Sequence, residues 1–284
     1  MSVATDSDFL QGMAASSRAR DAEARTRLSD AQQRSLLVVL DKAASLNLAA
    51  KGFDLIAEIK KRSPAEGELD ANLASPADQA AVYADGGAAA LSVLTEPEQF
   101  SGSLEDLHEV AGQSSIPVMR KDFLVSRYQV REARLAGASG VLLIAAILDA
   151  DRMKAMLESA FELGMFVLME VFDPADLDKC VPILEGFGAA VEDGRCNYLL
   201  GVNCRDLRNL QVNFGRFAEM AAYLPAEVPW VAESGLTEAQ HAETAATLGY
   251  RMALVGSALM RSDNPAGTIK AFRQAGHTGL ATCS

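Results

Sequence analysis

The sequence predicts a closed (β/α)8 barrel, a TIM barrel, preceded by a helical extension, and three observations carry that prediction. Eight short apolar runs recur along the chain, and seven of them stop on a polar or charged residue: Lys60, Thr95, Lys121, Glu170, Asn203, Ser234 and Ser257. Only the run GVLLIAA ends on an apolar residue, Ala146. The runs repeat every about 23 to 35 residues, the length of one βα unit. Gly or Gly-Ala stands just ahead of several runs, in GGAAALSVL, GASGVLLI, LGMFVLME and LGYRMALVG, as a helix C-cap feeding the next strand does.

Taken in order, residues 1–52 form the extension. From Asp8 to Lys51 the chain is rich in Ala, Arg, Ser, Asp and Leu with no strand signal, so it reads as one or two amphipathic helices. The strands expected next are Leu55–Lys60, Ala90–Thr95, Pro117–Lys121, Gly140–Ala146, Phe166–Val171, Tyr198–Asn203, Trp230–Ser234 and Met252–Ser257. Each is a near-continuous apolar run, as a strand covered on both faces must be. Helix-like stretches separate them: Ser75–Gly86, Ser126–Ala136, Asp151–Leu163, Pro174–Leu184, Phe214–Ala222 and Glu238–Thr247. Together they define a catalytic barrel over 53–273. The connection Glu185–Asn197 precedes the sixth strand and belongs at the bottom of a barrel, away from chemistry. Residues 274–284 show no pattern and are set apart as a tail. An open doubly wound sheet competes, but Lys60-Lys61-Arg62-Ser63-Pro64 after the first strand is no GxGxxG loop.

Length and composition agree. The 284 residues, 49% hydrophobic and 23% charged, suit one α/β barrel of ~250 residues with an extension. A net charge of −12 argues against nucleic acid or an anionic membrane as partner, yet a local cluster of Lys and Arg still allows an anionic small molecule. Cys180, Cys196, Cys204 and Cys283 form no CxxC and no zinc spacing with histidine, which points to reduced thiols and no metal. His108, His241 and His277 lie off the strand ends and read as surface-helix or tail residues. No secretory pattern opens the chain, and its longest aliphatic run, Val141–Leu148, is far short of the ~20 residues of a membrane helix. The expected location is cytoplasmic, and the expected state is a monomer or weak homo-oligomer.

A barrel gathers its strand ends on one rim, where residues distant in sequence share a pocket. That rim would hold Lys60, Lys121, Arg205, Glu58, Glu170, Glu233, Asn203, Ser63 and Ser234. The turns Ser234-Gly235 and Gly256-Ser257 follow the seventh and eighth strands, the places where barrels bind phosphate through backbone N–H groups. A strand-end lysine can serve as general acid, Schiff-base nucleophile or anion clamp, with a facing glutamate as base. With no metal spacing and no cofactor motif, the reading is acid/base chemistry on an anionic substrate without a cofactor.

The segments IAEIKKRSP, LSVLTEPEQFSGS, PVMRKDF, YQVREARLAGASGVLLIAAIL, LMEV, LGVNCRDL, VAESGL and LVGSALM, running from about Phe53 to Phe272, together resemble indole-3-glycerol-phosphate synthase. The resemblance implies a (β/α)8 barrel with a helical extension. It also implies a cofactor-free lyase that closes, decarboxylates and dehydrates 1-(2-carboxyphenylamino)-1-deoxyribulose 5-phosphate in tryptophan biosynthesis. The substrate is an anionic phosphosugar carrying an anthranilate ring. The resemblance makes Lys121 the general acid for ring closure and Glu170 the base or acid of the later steps. Lys60 holds an anionic group, and which lysine acts as acid in each step stays open. Glu58, Asn203, Glu233 and Ser234 would position the substrate, and Arg205 would face the ring carboxylate. Gly235, Gly256 and Ser257 would hold the phosphate, with Ser63 beside the substrate. Pro64, Phe100, Phe123, Leu142 and Leu207 would form the apolar slot for the ring.

The chain departs from the family pattern at Cys204, where Asn or Ser is usual; its side chain should point opposite to those of Asn203 and Arg205 and act through packing. The stretch AASLNLAAKGFD before the first strand also lacks the usual prolines. Fold alone leaves two other readings, a phosphosugar isomerase or Schiff-base aldolase, and a non-catalytic barrel kept as a binding subunit.

Overall fold

The computed structural model describes residues 8–49, 52–69, 75–207 and 210–282. Its centre is a closed barrel of β1 (Asp54–Ile59), β2 (Ala90–Leu94), β3 (Val118–Lys121), β4 (Gly140–Ile144), β5 (Phe166–Val171), β6 (Tyr198–Asn203), β7 (Trp230–Glu233) and β8 (Met252–Val255). All neighbours are parallel, and β1 closes the ring by pairing with β8 on one side and β2 on the other. The helices α1 (Asp8–Arg27) and α2 (Asp30–Leu37) precede the barrel. After the strands, in turn, come α3 (Pro76–Asp85), α4 (Leu104–Gln113), α5 (Arg127–Leu135), α6 (Ala150–Glu162), α7 (Pro174–Glu185), α8 (Arg216–Ala221), α9 (Ala239–Thr247) and α10 (Pro265–Ala281).

Local chemistry starts these helices. The side chains of Ser75, Ser103, Ser126, Asp149, Asp173 and Asn264 each accept the backbone N–H of the residue three further on, satisfying a donor that the first turn leaves free. The strands are buried on both faces, as their unbroken apolar text predicts. Several end earlier than that text. Lys60 is the first residue beyond β1, Ala145–Ile147 turn into a 3-10 helix, and Ser257 opens a short helix, Ser257–Met260. The apolar run continues past these points, but the hydrogen-bonded ladder stops.

The connection Glu185–Asn197 folds into a two-strand ribbon, Val191–Glu192 against Arg195–Cys196, and Leu46–Asn47 of the extension adds a third strand to it. Residues 274–281 continue α10. Gly276 lets this helix approach Phe53, since a Cβ there would lie 2.2 Å from the ring. The His277 Nδ1 accepts the Phe53 N–H at 3.4 Å. Cys180, Cys196 and Cys204 are buried and free, and burial pushes each thiol up to about 12, which suits inert packing. Cys283 lies outside the described residues. Among the described residues no helix is long and apolar enough to cross a membrane, and no cluster of His, Cys, Asp or Glu has the makings of a metal site.

The barrel is packed through its axis. Phe166 opens β5 opposite Gly140, and a Cβ at Gly140 would stand 2.5 Å from the ring. Gly140→Ala is therefore expected to cost about 1–3 kcal/mol through overpacking, measured by urea unfolding. Unchanged stability would show that the floor has slack.

Candidate active site

Lys60 and Lys121, 61 residues apart by number (121 − 60), meet at the mouth because β1, β2 and β3 are neighbours. Both reach one carboxylate. The Lys60 Nζ lies 2.9 Å from Glu58 Oε1, and the Lys121 Nζ donates to Glu58 Oε2 at 2.8 Å. Burial alone would raise the Glu58 carboxyl; the Lys121 and Lys60 charges overcome it and bring it down to about 2. Burial likewise works to lower the Lys121 ammonium, but the carboxylates of Glu58, Glu233 and Glu170 outweigh it, and the ammonium is held more firmly than an exposed lysine's. Lys121 thus stands at the mouth as an ammonium.

A second pair lies beneath. Glu170, next to last in β5, and Glu233, the last residue of β7, are each 1% exposed. Asn203 of β6 stands between them: its Nδ2 donates to Glu170 Oε2 at 3.1 Å, and its Oδ1 accepts the Arg205 N–H at 2.9 Å. Among the described residues, none donates a hydrogen bond to Glu170 Oε1 or to either Glu233 oxygen. Burial raises both carboxyls; for Glu233 the like charge of Glu170 adds to it and carries it well above the usual range. Both groups are thereby more readily protonated than exposed carboxyls, Glu233 the more so. The pair has room because β6 carries Gly201: a Cβ there would lie 1.9 Å from Glu233 Oε1. Gly256 does the same above, where a Cβ would meet Glu58 Oε1 at 2.3 Å.

The turn after β7 places Ser234 and Gly235 both in the left-handed region, at φ 65° and 71°. For Ser234 this is strained backbone of the kind found at functional sites. Cys204 braces the turn from below, donating its thiol to the Ser234 carbonyl at 3.1 Å, and a Cβ on Gly235 would meet its Sγ at 2.7 Å. The departure at Cys204 is thus absorbed by packing.

These groups open into a cavity of about 290 Å³ lined by Glu58, Lys60, Lys121, Asn203 and Arg205, by Ser63, Pro64, Phe100 and Leu207, and by Ser234, Gly235, Gly256 and Ser257. Glu170 and Glu233 sit beneath its wall. Phe123 and Leu142 are buried outside the wall; Phe123 backs Phe100 with ring centres 6.3 Å apart. Leu210, Val212, Leu236 and Glu66 line the cavity without having been foreseen. Glu66 engages Arg205 at 3.3 Å and Arg261 at 3.1 Å, so the guanidinium expected to meet a ligand carboxylate is already held by a side-chain carboxylate. Gly201 was also missed, although a lone Gly inside a strand (LLGVN) signals a close approach.

Residues 10–272 match the family model described as indole-3-glycerol phosphate synthase. A curated indole-3-glycerol phosphate synthase of a Nocardioides species is 39% identical over 261 residues, 88% of this chain and 95% of that one. The enzyme of that name from Saccharopolyspora erythraea is 41% identical over 245 residues, 86% of each. That from Mycolicibacterium vanbaalenii is 39% identical over 268 residues, 94% of this chain and 93% of that one. Among solved structures, 3-hexulose-6-phosphate synthase from Salmonella typhimurium is similar at a TM-score of 0.58 and 17% identity, covering 82% of this chain and 100% of that one; at that identity the likeness is one of fold.

The two tiers respond to pH with opposite signs. Glu58 is depressed to about 2, so its stabilisation is present above the unfolded value of ~4.3 and is lost as pH falls through 2. Glu233 is raised, so the folded state grips its proton and loses stability as pH climbs above ~4.3. The Tm of Glu233→Gln relative to the parent should therefore increase from pH 4 to pH 8, while the deficit of Glu58→Gln should shrink toward pH 2. A pH-independent difference for either variant contradicts the assignment.

Proposed function

We propose a division of labour around the mouth of this chain, which belongs to the indole-3-glycerol phosphate synthase family. Its activity is that of the family: a carboxy-lyase reaction that converts 1-(2-carboxyphenylamino)-1-deoxyribulose 5-phosphate to indole-3-glycerol phosphate, carbon dioxide and water, in tryptophan biosynthesis. The observation that carries the assignment of roles is the Lys60–Glu58–Lys121 bridge at 2.9 and 2.8 Å, inside a cavity with an apolar side and two glycine turns.

In this reading the substrate phosphate lies against Ser234-Gly235 and Gly256-Ser257, whose N–H groups favour an anion. The ring carboxylate replaces Glu66 as the partner of Arg205, and the ring packs on Pro64, Phe100 and Leu207, with Phe123 and Leu142 behind them. Ser63 and Lys60 fix the remaining polar groups. The ring carbon bearing the carboxylate then attacks the ketone carbon. Charge develops on the ketone oxygen, and Lys121 neutralises it by giving up a proton, leaving an alcohol. Glu58 stays ionised throughout, which favours the ammonium form of both lysines before the attack and the return of a proton to Lys121 after it. Loss of carbon dioxide returns its bonding electrons to the ring and restores aromaticity. Dehydration follows: the hydroxyl takes a proton from an ammonium at the mouth and leaves as water, while Glu170 takes the proton from the carbon beside nitrogen. Burial lifts the Glu170 carboxyl toward the range in which a base both accepts and returns protons, and Asn203 and Glu233 hold it there.

The same reading takes residues 1–52 as an extension that completes the site and 53–273 as the catalytic barrel. It places the protein in the cytoplasm as a monomer or weak homo-oligomer, with no nucleic-acid or membrane partner; the net charge of −12 and the buried free thiols support it.

Lys121→Ala should lower turnover by at least ~10²-fold, the scale of a lost positioned acid, in an assay that follows indole product by fluorescence. Wild-type-like turnover in that variant refutes the role. Borohydride added with substrate should leave Lys60 and Lys121 unlabelled; a trapped adduct would instead show Schiff-base chemistry.

A further inference from the structure

Lys121 is flanked by two buried charges that point away from the mouth, Arg120 and Asp122, each 2% exposed. Successive side chains in a strand face opposite sides, so the residue that turns into the cavity is gripped from behind by its neighbours. Asp122 is the hub. Its Oδ1 accepts from Arg20 Nη2 at 2.8 Å and from the Phe123 N–H at 2.8 Å. Its Oδ2 accepts from Arg20 Nη1 at 2.8 Å, from the Thr95 hydroxyl at 2.8 Å and from Arg120 Nη2 at 3.1 Å. Arg120 also donates to Thr95 Oγ1 at 3.0 Å, to Glu132 Oε2 at 2.8 Å and to the Gln129 carbonyl at 3.2 Å. The ends of β2 and β3 and the first turns of α5 are thereby joined.

Arg20 comes from α1, outside the barrel. Other residues of the extension hydrogen-bond to the same stretch of chain. Gln129 Nε2 donates to Ser17 Oγ at 2.9 Å, the Tyr128 hydroxyl donates to the carbonyls of Ala24 and Leu28 at 3.0 and 2.7 Å, and Gln33 Nε2 donates to the Tyr128 carbonyl at 3.1 Å. Arg131 pairs with Asp30 at 3.0 Å, and Phe9 meets Phe123 edge-on at 6.4 Å. The extension therefore clamps the βα unit that carries Lys121.

We propose that Arg20 is a positioning residue for the reaction: its two-pronged bond to Asp122 fixes the end of β3, and so the aim of the Lys121 ammonium at the reacting carbonyl. This rests on Lys121 being the acid. A planar guanidinium delivers two parallel bonds to a carboxylate, and Asp122, with no solvent to turn to, passes that geometry to the peptide beside it. The bulk of the barrel holds β3 in the sheet as far as Lys121, whereas the bond from Arg20 fixes Asp122, the first residue beyond the ladder.

The test compares Arg20→Ala, Arg20→Lys and Gln33→Ala with wild type on the carboxyphenylamino deoxyribulose phosphate, recording kcat, KM and Tm. Gln33→Ala loosens the same extension without touching Asp122. Arg20→Ala should lose roughly 10- to 100-fold in kcat, the scale of a small misplacement, with KM within about threefold, since ground-state binding is left in place. Methylguanidinium should restore part of the kcat, because a cavity of about 280 Å³ lined by Arg20, Thr95, Arg120, Gln129 and Glu132 adjoins the site. Gln33→Ala should lower Tm and keep kcat. Folded Arg20→Ala with wild-type kcat overturns the inference, as does Gln33→Ala losing the same factor. Where Arg20→Ala does not fold, Arg20→Lys decides: it keeps the charge but not the fork, so an intermediate kcat supports the inference and a wild-type kcat overturns it. Wild type without turnover sinks the functional reading itself, and this inference with it.

Discussion

A single carboxylate shared by two ammonium groups holds the site together. Glu58 is almost fully buried and lies within hydrogen-bond distance of both Lys60 and Lys121. Each charge pays a desolvation cost that only its partners offset, so the three are stable as a set. Neutralising Glu58 would leave two cations facing each other in a cavity. Moving either lysine away would leave excess negative charge beside Glu170 and Glu233. The set forms because three neighbouring parallel strands end on the same rim.

Depth then sorts the titratable groups. The upper carboxylate, between two cations, is held low. The lower pair, Glu170 and Glu233, has Asn203 as its neutral partner; burial pushes both up, and for Glu233 the charge of Glu170 adds to it. Environments that drive chemically equivalent groups apart in this way separate acid from base duties within one site. Gly201 and Gly256 keep the tiers intact, since a methyl at either would intrude on a carboxylate. Behind the rim, the network of Arg20, Asp122, Arg120 and Thr95 acts as an outer shell that orients the inner one.

Much of this was legible in the sequence because periodicity and chemistry coincide there. Strand ends are marked by an abrupt change from apolar to charged text, and Lys121, Glu170, Asn203 and Glu233 sit at or beside those changes. What escaped lies where no period operates. Leu210, Val212 and Leu236 reach the cavity through loop paths set by tertiary packing, and Glu66 is drawn to two arginines from distant loops. The role of Gly201 depends on a neighbouring side chain, and that of Arg20 on a helix docking more than a hundred residues upstream of its partner (122 − 20 = 102). The last turns of α10 carry small residues, Gly276 and Gly279, that pack against Phe53 and the backbone of α9; helical text usually shows larger apolar residues there. Lys60 and Ser257 read as strand residues because side-chain character outlasts the backbone ladder.

The most direct measurement is a crystal structure with a substrate analogue whose ketone is reduced to a hydroxyl. The account requires the Lys121 Nζ within ~3.2 Å of that hydroxyl, with Glu58 still bridging both lysines and the phosphate against the turns after β7 and β8. A hydroxyl directed away from Lys121, with the ammonium bound only to Glu58, would contradict it.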